Sequence, residues 1–561
     1  ITATSKTNPG SPSTGASAVP FDPPTPPLAG SAVISKVLLA ATAGEASAQG
    51  TYGATALSPS SSWDVSPSSG GFTWSYPLRL PPVPGGRAPG VSLGYSSQTV
   101  DGRTSTTNNQ GSWLGEGFGY EPGYVERRYK PCQDDGHSDS GDLCWSHDNV
   151  LLMLNGRSSE LVRTGDTWRF ASDDGSRVER LGGPGSANGA VNGDNDGEHW
   201  KVTTTDGTQY FFGLNRLPGW SPGAAETASA WTVPVFGDDA GEPCHQGTFA
   251  AGFCQQGWRW NLDHVQDLHG NVMSYFYEQE SNAYAMGRRT DVAGAAYTRG
   301  GWLKRIDYGQ RAGAVFTAPA AARVVFDTAE RCVPTGDMAC REQDLTAGTA
   351  NAWPDVPFDR LCAVGSVCTD DQASPTFWTR KRVTAITTEI RSGAAWSPVD
   401  TWMLEHFFTD NADGSRTLWL HTITHQGRAG GGDPLVMPTV RLDSLQLDNR
   451  IKRPDDPVGL LIRPRLATVH TDAGGRIDVR YAPTDCSAQA LPAAGSSVRR
   501  CFPVIWHPGG VTAPVTDWFH KHVVEAVTET DATTVDAGTG RALDLVTGYE
   551  NLGEAAWRRR A

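Results

Sequence analysis

The chain has 561 residues, 38% hydrophobic and 19% charged, with 64 Gly and 37 Pro. It is too apolar and aromatic for a disordered chain, and too rich in Gly and Pro for a helical one. A net charge of −14 argues against a nucleic-acid partner, which needs a basic stripe, and no stretch of about 18 apolar residues exists to span a membrane.

In chain order, residues 1 to about 30 are Ser, Thr, Pro and Gly with few apolar anchors, and read as an extended linker. Ala32 to Ala43 (AVISKVLLAATA) has the texture of a signal core, but Lys36 interrupts it and no basic region precedes it. It is predicted to be a short strand. The start at Ile1 rather than Met suggests a processed or excerpted chain. From about Trp63 strands and turns take over. Phe72 to Leu80 alternates apolar and polar residues, Pro84-Gly85-Gly86 turns the chain, and Val91 to Tyr95 alternates again. Trp200–Thr204 turns at Asp206-Gly207 into Thr208–Phe212, and Arg476–Tyr481 has the same texture. Trp518 to Val527 is the best short helical candidate.

The ten cysteines fall into five close pairs: Cys132/Cys144, Cys244/Cys254, Cys332/Cys340, Cys362/Cys368 and Cys486/Cys501. Each pair brackets a segment rich in Gly, Asp, Pro or Ser, as local disulfides closing loops would. Each bond contributes about 2–4 kcal/mol by restricting the unfolded chain. Zinc is disfavoured because the spacings are wider than metal knuckles use. Disulfides place the chain outside the cytosol. The third and fourth pairs are neighbours, so a crossed connection such as Cys332 to Cys362 stays open.

Candidate chemistry is sparse. Gly90-Val91-Ser92-Leu93-Gly94 matches the hydrolase elbow G-x-S-x-G, but β alternation continues through Tyr95-Ser96-Ser97 where a helix should begin. Gly115-Glu116-Gly117-Phe118-Gly119 lacks the context of a dinucleotide loop. The acidic loop Asp134, Asp135, Asp139 and Asp142 reads as solvated. Asn192, Asp194, Asp196 and Glu198 place oxygens like the start of a calcium loop, yet Thr203 stands where the closing Glu belongs. A solvated turn is the expectation, with calcium as the weak alternative. Asp263, His264, Asp267 and His269 cluster two imidazoles and two carboxylates; acid–base work would need them convergent in a cleft, and Asp267 and His269 are expected to serve the turn instead. His520 and His522 share one sheet face if they lie on a strand. No catalytic residue, cofactor or metal is expected, and the chain is read as not an enzyme.

A weak repeat runs through the sequence. Asp267 to Tyr277 (DLHGNVMSYFY) has the form D-x-x-G-N-x-x-x-Y-x-Y, Leu303 to Gly309 supplies a similar strand, and Gly474 to Tyr481 is a looser echo. At these residues the chain resembles the Rhs/YD-repeat family, specifically the region upstream of the YD repeats in large secreted actinobacterial members. The resembling segments are Phe72–Leu80, Val91–Lys130, Gly193–Trp220 and Trp260–Tyr284. The first two are also similar to the Salmonella virulence plasmid B-like and Tc-toxin cocoon proteins. The resemblance implies a spiralling β-sheet that builds a hollow shell, which in many members encloses a C-terminal toxin. The chain departs from that pattern. It has no dense run of YD repeats, no self-cleavage motif and no toxin domain, and Gly548 to Gly553 looks like one more repeat cut short.

The expected fold is therefore all-β, a continuous antiparallel hairpin sheet forming a curved shell segment. Residues 1–50 would be a disordered leader or linker rich in Ser, Pro and Gly, 51–330 an N-terminal Rhs-like region with two disulfide loops, and 331–561 its continuation toward YD repeats. The expected function is shell building in a secreted polymorphic toxin. Its partners would be the remainder of that shell and a C-terminal effector. The alternative is a cell-surface adhesin whose Trp and Tyr residues bind a protein receptor or glycan.

Overall fold

Alternating residues and short turns make the hairpins, and the hairpins make the molecule. In the computed structural model, His199–Thr203 pairs with Gln209–Phe212 across a turn at Asp206-Gly207. There the Asp206 carboxylate accepts the Thr208 amide and Gly207 sits at φ +78, a conformation that glycine adopts without a side-chain clash. The structure describes residues 2–7, 60–104, 110–183, 191–428, 432–454, 458–459, 461–493, 495–506, 508, 514–535, 542–550 and 555. The readings of residues 8–59, including the strand at Ala32 to Ala43, lie outside these. Within the leader's bounds, Thr2–Thr7 is described as a strand.

Among the described residues there is no α-helix, only short 3-10 turns between strands. The sheet is antiparallel and continuous, in two parts that the sequence did not separate. Eight strands first close into a ring: Gly123–Glu126, Val150–Leu154, Arg157–Thr164, Thr167–Phe170, Arg177–Leu181, His199–Thr203, Gln209–Phe212 and Phe253–Gln266. Closure comes from Gly123–Glu126, which pairs with Val150–Leu154 on one side and Phe253–Gln266 on the other. A barrel this small is filled by side chains. Trp168, Trp200 and Trp260 meet edge to face in its core, with centroids 5.1 and 6.3 Å apart.

From Phe253–Gln266 the sheet continues as a meander in chain order. Its strands are Asn271–Tyr284, Ala295–Arg311, Ala322–Glu330, Lys381–Ser392, Ala395–Asp410, Arg416–Gly427, Val440–Asp448, Ile462–His470, Gly475–Tyr481, Val524–Val535 and Ala542–Glu550. Each pairs antiparallel with the next. The outer edge of Ala542–Glu550 is taken by Thr2–Thr7, in register from Thr2↔Glu550 to Thr7↔Leu545.

The buried face of the meander is covered by the chain's own N-terminal part. A four-stranded sheet, Ser62–Val65, Phe72–Pro77, Ser92–Ser96 and Phe118–Gly119, packs Phe118 on Trp419 at 5.0 Å, while Tyr120 stacks on Phe326 at 5.8 Å. Tyr95 accepts the Leu466 amide, and Tyr308 donates to the Pro81 carbonyl. One hydrophobic core thus runs from Val65 to Val527 through all three parts.

The five disulfides join Cys132–Cys144, Cys244–Cys254, Cys332–Cys340, Cys362–Cys368 and Cys486–Cys501. The crossed connection between the third and fourth pairs is not adopted. Trp518 to Val527 is not helical. Val515–His520 and Val524–Val535 are strands, and the break between them lies over residues 521–523. Apolar residues fall on both faces here because the segment is buried on both, which mimics a helical period.

Candidate functional site

Two of the acidic residues singled out from the sequence, Asp194 and Glu198, are bonded by the protein itself. Asn192, Asp194 and Glu198 are buried where the loop before His199–Thr203 folds against the barrel. Asp194 Oδ1 accepts the amides of Asp196 and Glu198, and its Oδ2 accepts the Gly257 amide at 2.6 Å. Both Glu198 carboxylate oxygens take the Arg127 guanidinium at 2.9 Å, and Arg180 adds a further ion pair at 2.7 Å. Burial, with Asp196 and Glu198 close by, pushes the Asp194 carboxyl up to about 8. Asn192, Asp194 and Glu198 thus spend their side-chain oxygens within the protein, on the Asp194 amide, on backbone amides and on Arg127. The expectation of a solvated turn fails, because the loop is held under the barrel by Arg127.

The first disulfide loop likewise differs from its solvated reading at Asp142. This residue is fully buried and accepts the Gly287 amide through both oxygens, at 3.0 and 3.2 Å. Asp135 and Asp238 approach Cys144, but that sulfur is bonded to Cys132 and has no thiolate to offer a metal.

His264, His520 and His522 are buried, whereas His269 is exposed. Asp263 is the extra residue of a β-bulge, since Phe211 pairs with His264 and Phe212 with Leu262. It turns into a loop, where its Oδ2 accepts from Ser229 Oγ, Thr227 Oγ1 and the Asn215 amide. Burial raises its carboxyl to about 6 and lowers the His264 imidazole to about 4. Asp267 accepts the His269 and Asn271 amides at 2.8 Å and so shapes the turn. His520 ends its strand and His522 follows it. Their rings are 5.8 Å apart, and burial lowers the basicity of both. Ser92 lies on a strand with its hydroxyl 2.8 Å from that of Ser75. It faces a cavity of about 930 Å³ between the small sheet and the barrel. No imidazole bonds it among the described residues.

The sequence reading missed the arrangement that does bring chemistry together. A cleft of about 330 Å³ opens where the barrel, the meander and residues 110–122 meet. Two β-bulges supply it. Trp231 pairs with Arg259 and Thr232 with Gly257, so Trp258 is extra. Glu280 pairs with Gly300 and Ser281 with Thr298, so Arg299 is extra. An extra residue leaves the alternation and re-aims its side chain. In a regular strand Trp258 and Trp260 would share a face. Here Trp260 fills the barrel while Trp258 lines the cleft.

Aromatic rings dominate the walls. Trp258 lies 4.5 Å from Phe377 and 5.5 Å from Trp231, ring to ring. Trp113, Trp302 and Trp378 also line the cleft, and Phe377, 42% exposed, stands at the rim. Gly301 is required for this packing, because a Cβ there would lie 2.8 Å from Trp231 and 2.2 Å from the Glu278 carbonyl. The polar groups pair with each other: Arg259 with Glu121 at 2.7 Å, and Arg299 with Glu280 at 2.9 Å. Arg299 also lies 3.7 Å over the Trp378 ring. Its Nη1 is buried with no hydrogen-bond partner. The sequence signal was the density of tryptophan in Gln-Gly-Trp-Arg-Trp and Gly-Gly-Trp, which pointed to strands without showing the bulges.

The fold thus defines an all-β protein in which a closed barrel passes into a chain-order meander. No protein-family model matches the chain, and no curated protein matches it in sequence. Solved structures with which it shares similarity include the crystal structure of TcdB2-TccC3-TEV, at 13% identity over 89% of this chain and 22% of that one, TM-score 0.40. A Photorhabdus luminescens Tc holotoxin pore aligns at 12% identity over 87% of this chain and 24% of that one, TM-score 0.36. The N-terminal domain of the effector protein SpvB from Salmonella typhimurium aligns at 15% identity over 63% of this chain and 98% of that one, TM-score 0.31. The chain spans about a fifth of the length of the first of these. No described helix is long and apolar enough to cross a membrane.

Proposed function

We propose that this chain is a non-catalytic, shell-building section of a secreted Rhs-type protein, working with the remainder of that shell and with an effector that the shell encloses or displays. The observation that carries the reading is the pairing order from Phe253–Gln266 to Ala542–Glu550. Each strand of the meander is laid beside its predecessor, so the wall lengthens as the sequence does, and the barrel closes its first end. Five local disulfides suit an oxidising location. The sequence resemblance at Phe72–Leu80 and Val91–Lys130 points the same way.

The test is electron microscopy and limited proteolysis of the native protein from its source. The expected result is a hollow particle protecting a further polypeptide from protease until the particle is opened. A solid particle, with every segment equally cleavable, refutes the reading. Labelling of Ser92 by a serine-directed phosphonate refutes its non-catalytic part.

A further inference from the structure

We propose that the aromatic cleft between the barrel and the meander is a binding site for a neutral saccharide, a role independent of shell building.

The geometry argues for a ligand. Two separate bulges, on Phe253–Gln266 and Ala295–Arg311, aim Trp258 and Arg299 at one cleft. Bulges gather beside functional sites because they redirect single side chains. Phe377 stands 42% exposed at the rim with its ring against Trp258. The volume of about 330 Å³ lies at the small end of the range for ligand sites.

The chemistry selects the class. The charges cancel within the site, Arg259 against Glu121 and Arg299 against Glu280, so neither an anion nor a cation finds an unpaired counter-charge. Hydrogen-bonding capacity remains, however. Arg299 Nη1 is buried without a partner, and the indole N–H groups of Trp113 and Trp302, both lining the cleft, have none among the described residues. A purely apolar ligand would leave Arg299 unsatisfied, which is costly in a buried place. A sugar ring answers both demands: its C–H face packs flat on aromatic rings, and its hydroxyls accept from guanidinium and indole donors.

The experiment uses the folded, disulfide-bonded chain and three probes: maltotriose, cellotriose and triacetylchitotriose. Binding is read by intrinsic tryptophan fluorescence and by saturation-transfer difference NMR. At least one probe is expected to give a saturable change. Phe377→Ala, an exposed-site change, is expected to weaken that binding. Arg299→Lys keeps the charge opposite Glu280 but removes Nη1, and is expected to weaken binding about tenfold or more, the loss of one charge-assisted hydrogen bond. Met403→Ala, on an exposed face of the meander, is expected to leave binding unchanged, and circular dichroism checks that each variant is folded. The proposal is overturned if no trisaccharide saturates, or if binding is indifferent to both cleft variants. It is also overturned if aromatic peptides compete for the cleft while the sugars do not.

Discussion

Replacing Arg127 with Met should strongly destabilise the protein, and replacing Glu198 with Leu in the same chain should restore most of the loss. Both side chains are almost wholly buried, and they are joined by two hydrogen bonds of 2.9 Å. Arg127 lies between the rings of Trp145 and Trp260, at 5.0 and 5.2 Å. Removing one partner of such a pair strands the other charge in a low dielectric, at a cost of about 3–5 kcal/mol. Glu198 keeps Arg180 at 2.7 Å, so Arg127→Met belongs at the lower end of that range and Glu198→Leu, which strands Arg127, at the upper. The double variant replaces both charges with apolar groups and should lie within about 2 kcal/mol of the parent. The assay is urea unfolding followed by tryptophan fluorescence, disulfides intact, with the coupling taken from the double-mutant cycle. If the single losses simply add, or if each is under about 1 kcal/mol, the pair does not hold the loop to the barrel.

The remaining expectations concern calcium, a glycine, an acid and an edge. Neither calcium nor a chelator should shift the unfolding midpoint, because Asp194 and Glu198 are already paired; a calcium-dependent rise would show that the loop reopens to bind it. Gly257→Ala should cost about 1–3 kcal/mol by overpacking, since a Cβ there would sit 2.3 Å from the Trp260 ring, and a neutral result in the same urea assay would show that the barrel core yields. The raised Asp263 pKa favours folding below about pH 4 and loses that contribution as pH rises through about 6. Asp263→Asn should therefore gain stability relative to the parent over that window, by about 3 kcal/mol at most, and parallel pH profiles for the two proteins would refute the assignment. Deleting residues 1–7 should expose the edge of Ala542–Glu550 and promote self-association; a truncated chain that sediments unchanged at all concentrations would show the edge protected by other means.

Hairpins were legible because their information is local. Phe72 to Leu80, the Asp206-Gly207 turn and Asp267 to Tyr277 each carry period and turn chemistry within about a dozen residues, and each forms where expected. Barrel closure was not legible, because it joins Gly123–Glu126 to Phe253–Gln266 and no local pattern records a partner that distant. The cleft was hidden for a different reason. A bulge shifts the alternation by one residue, so Trp258 and Trp260 read as neighbours on one face although the structure sends them to opposite sides. Asp142 and Glu198 read as solvated because charge in a Gly- and Asp-rich loop usually is. Their burial depends on Gly287 and Arg127, which lie far away in sequence.

The two parts of the sheet solve one physical problem in different ways. Every strand edge carries unpaired amides and carbonyls, which recruit another strand if left exposed. At the barrel the chain removes the edge by joining Gly123–Glu126 to both neighbours. Along the meander each strand covers the last one and presents a new edge, so the demand moves forward to Ala542–Glu550, where Thr2–Thr7 meets it. One end of the sheet is closed by the barrel, and the last described strand is paired on its outer edge by Thr2–Thr7. The N-terminal sheet packs Tyr95 and Phe118 against Trp419, far along the meander. These contacts join the small sheet and the meander in one hydrophobic core.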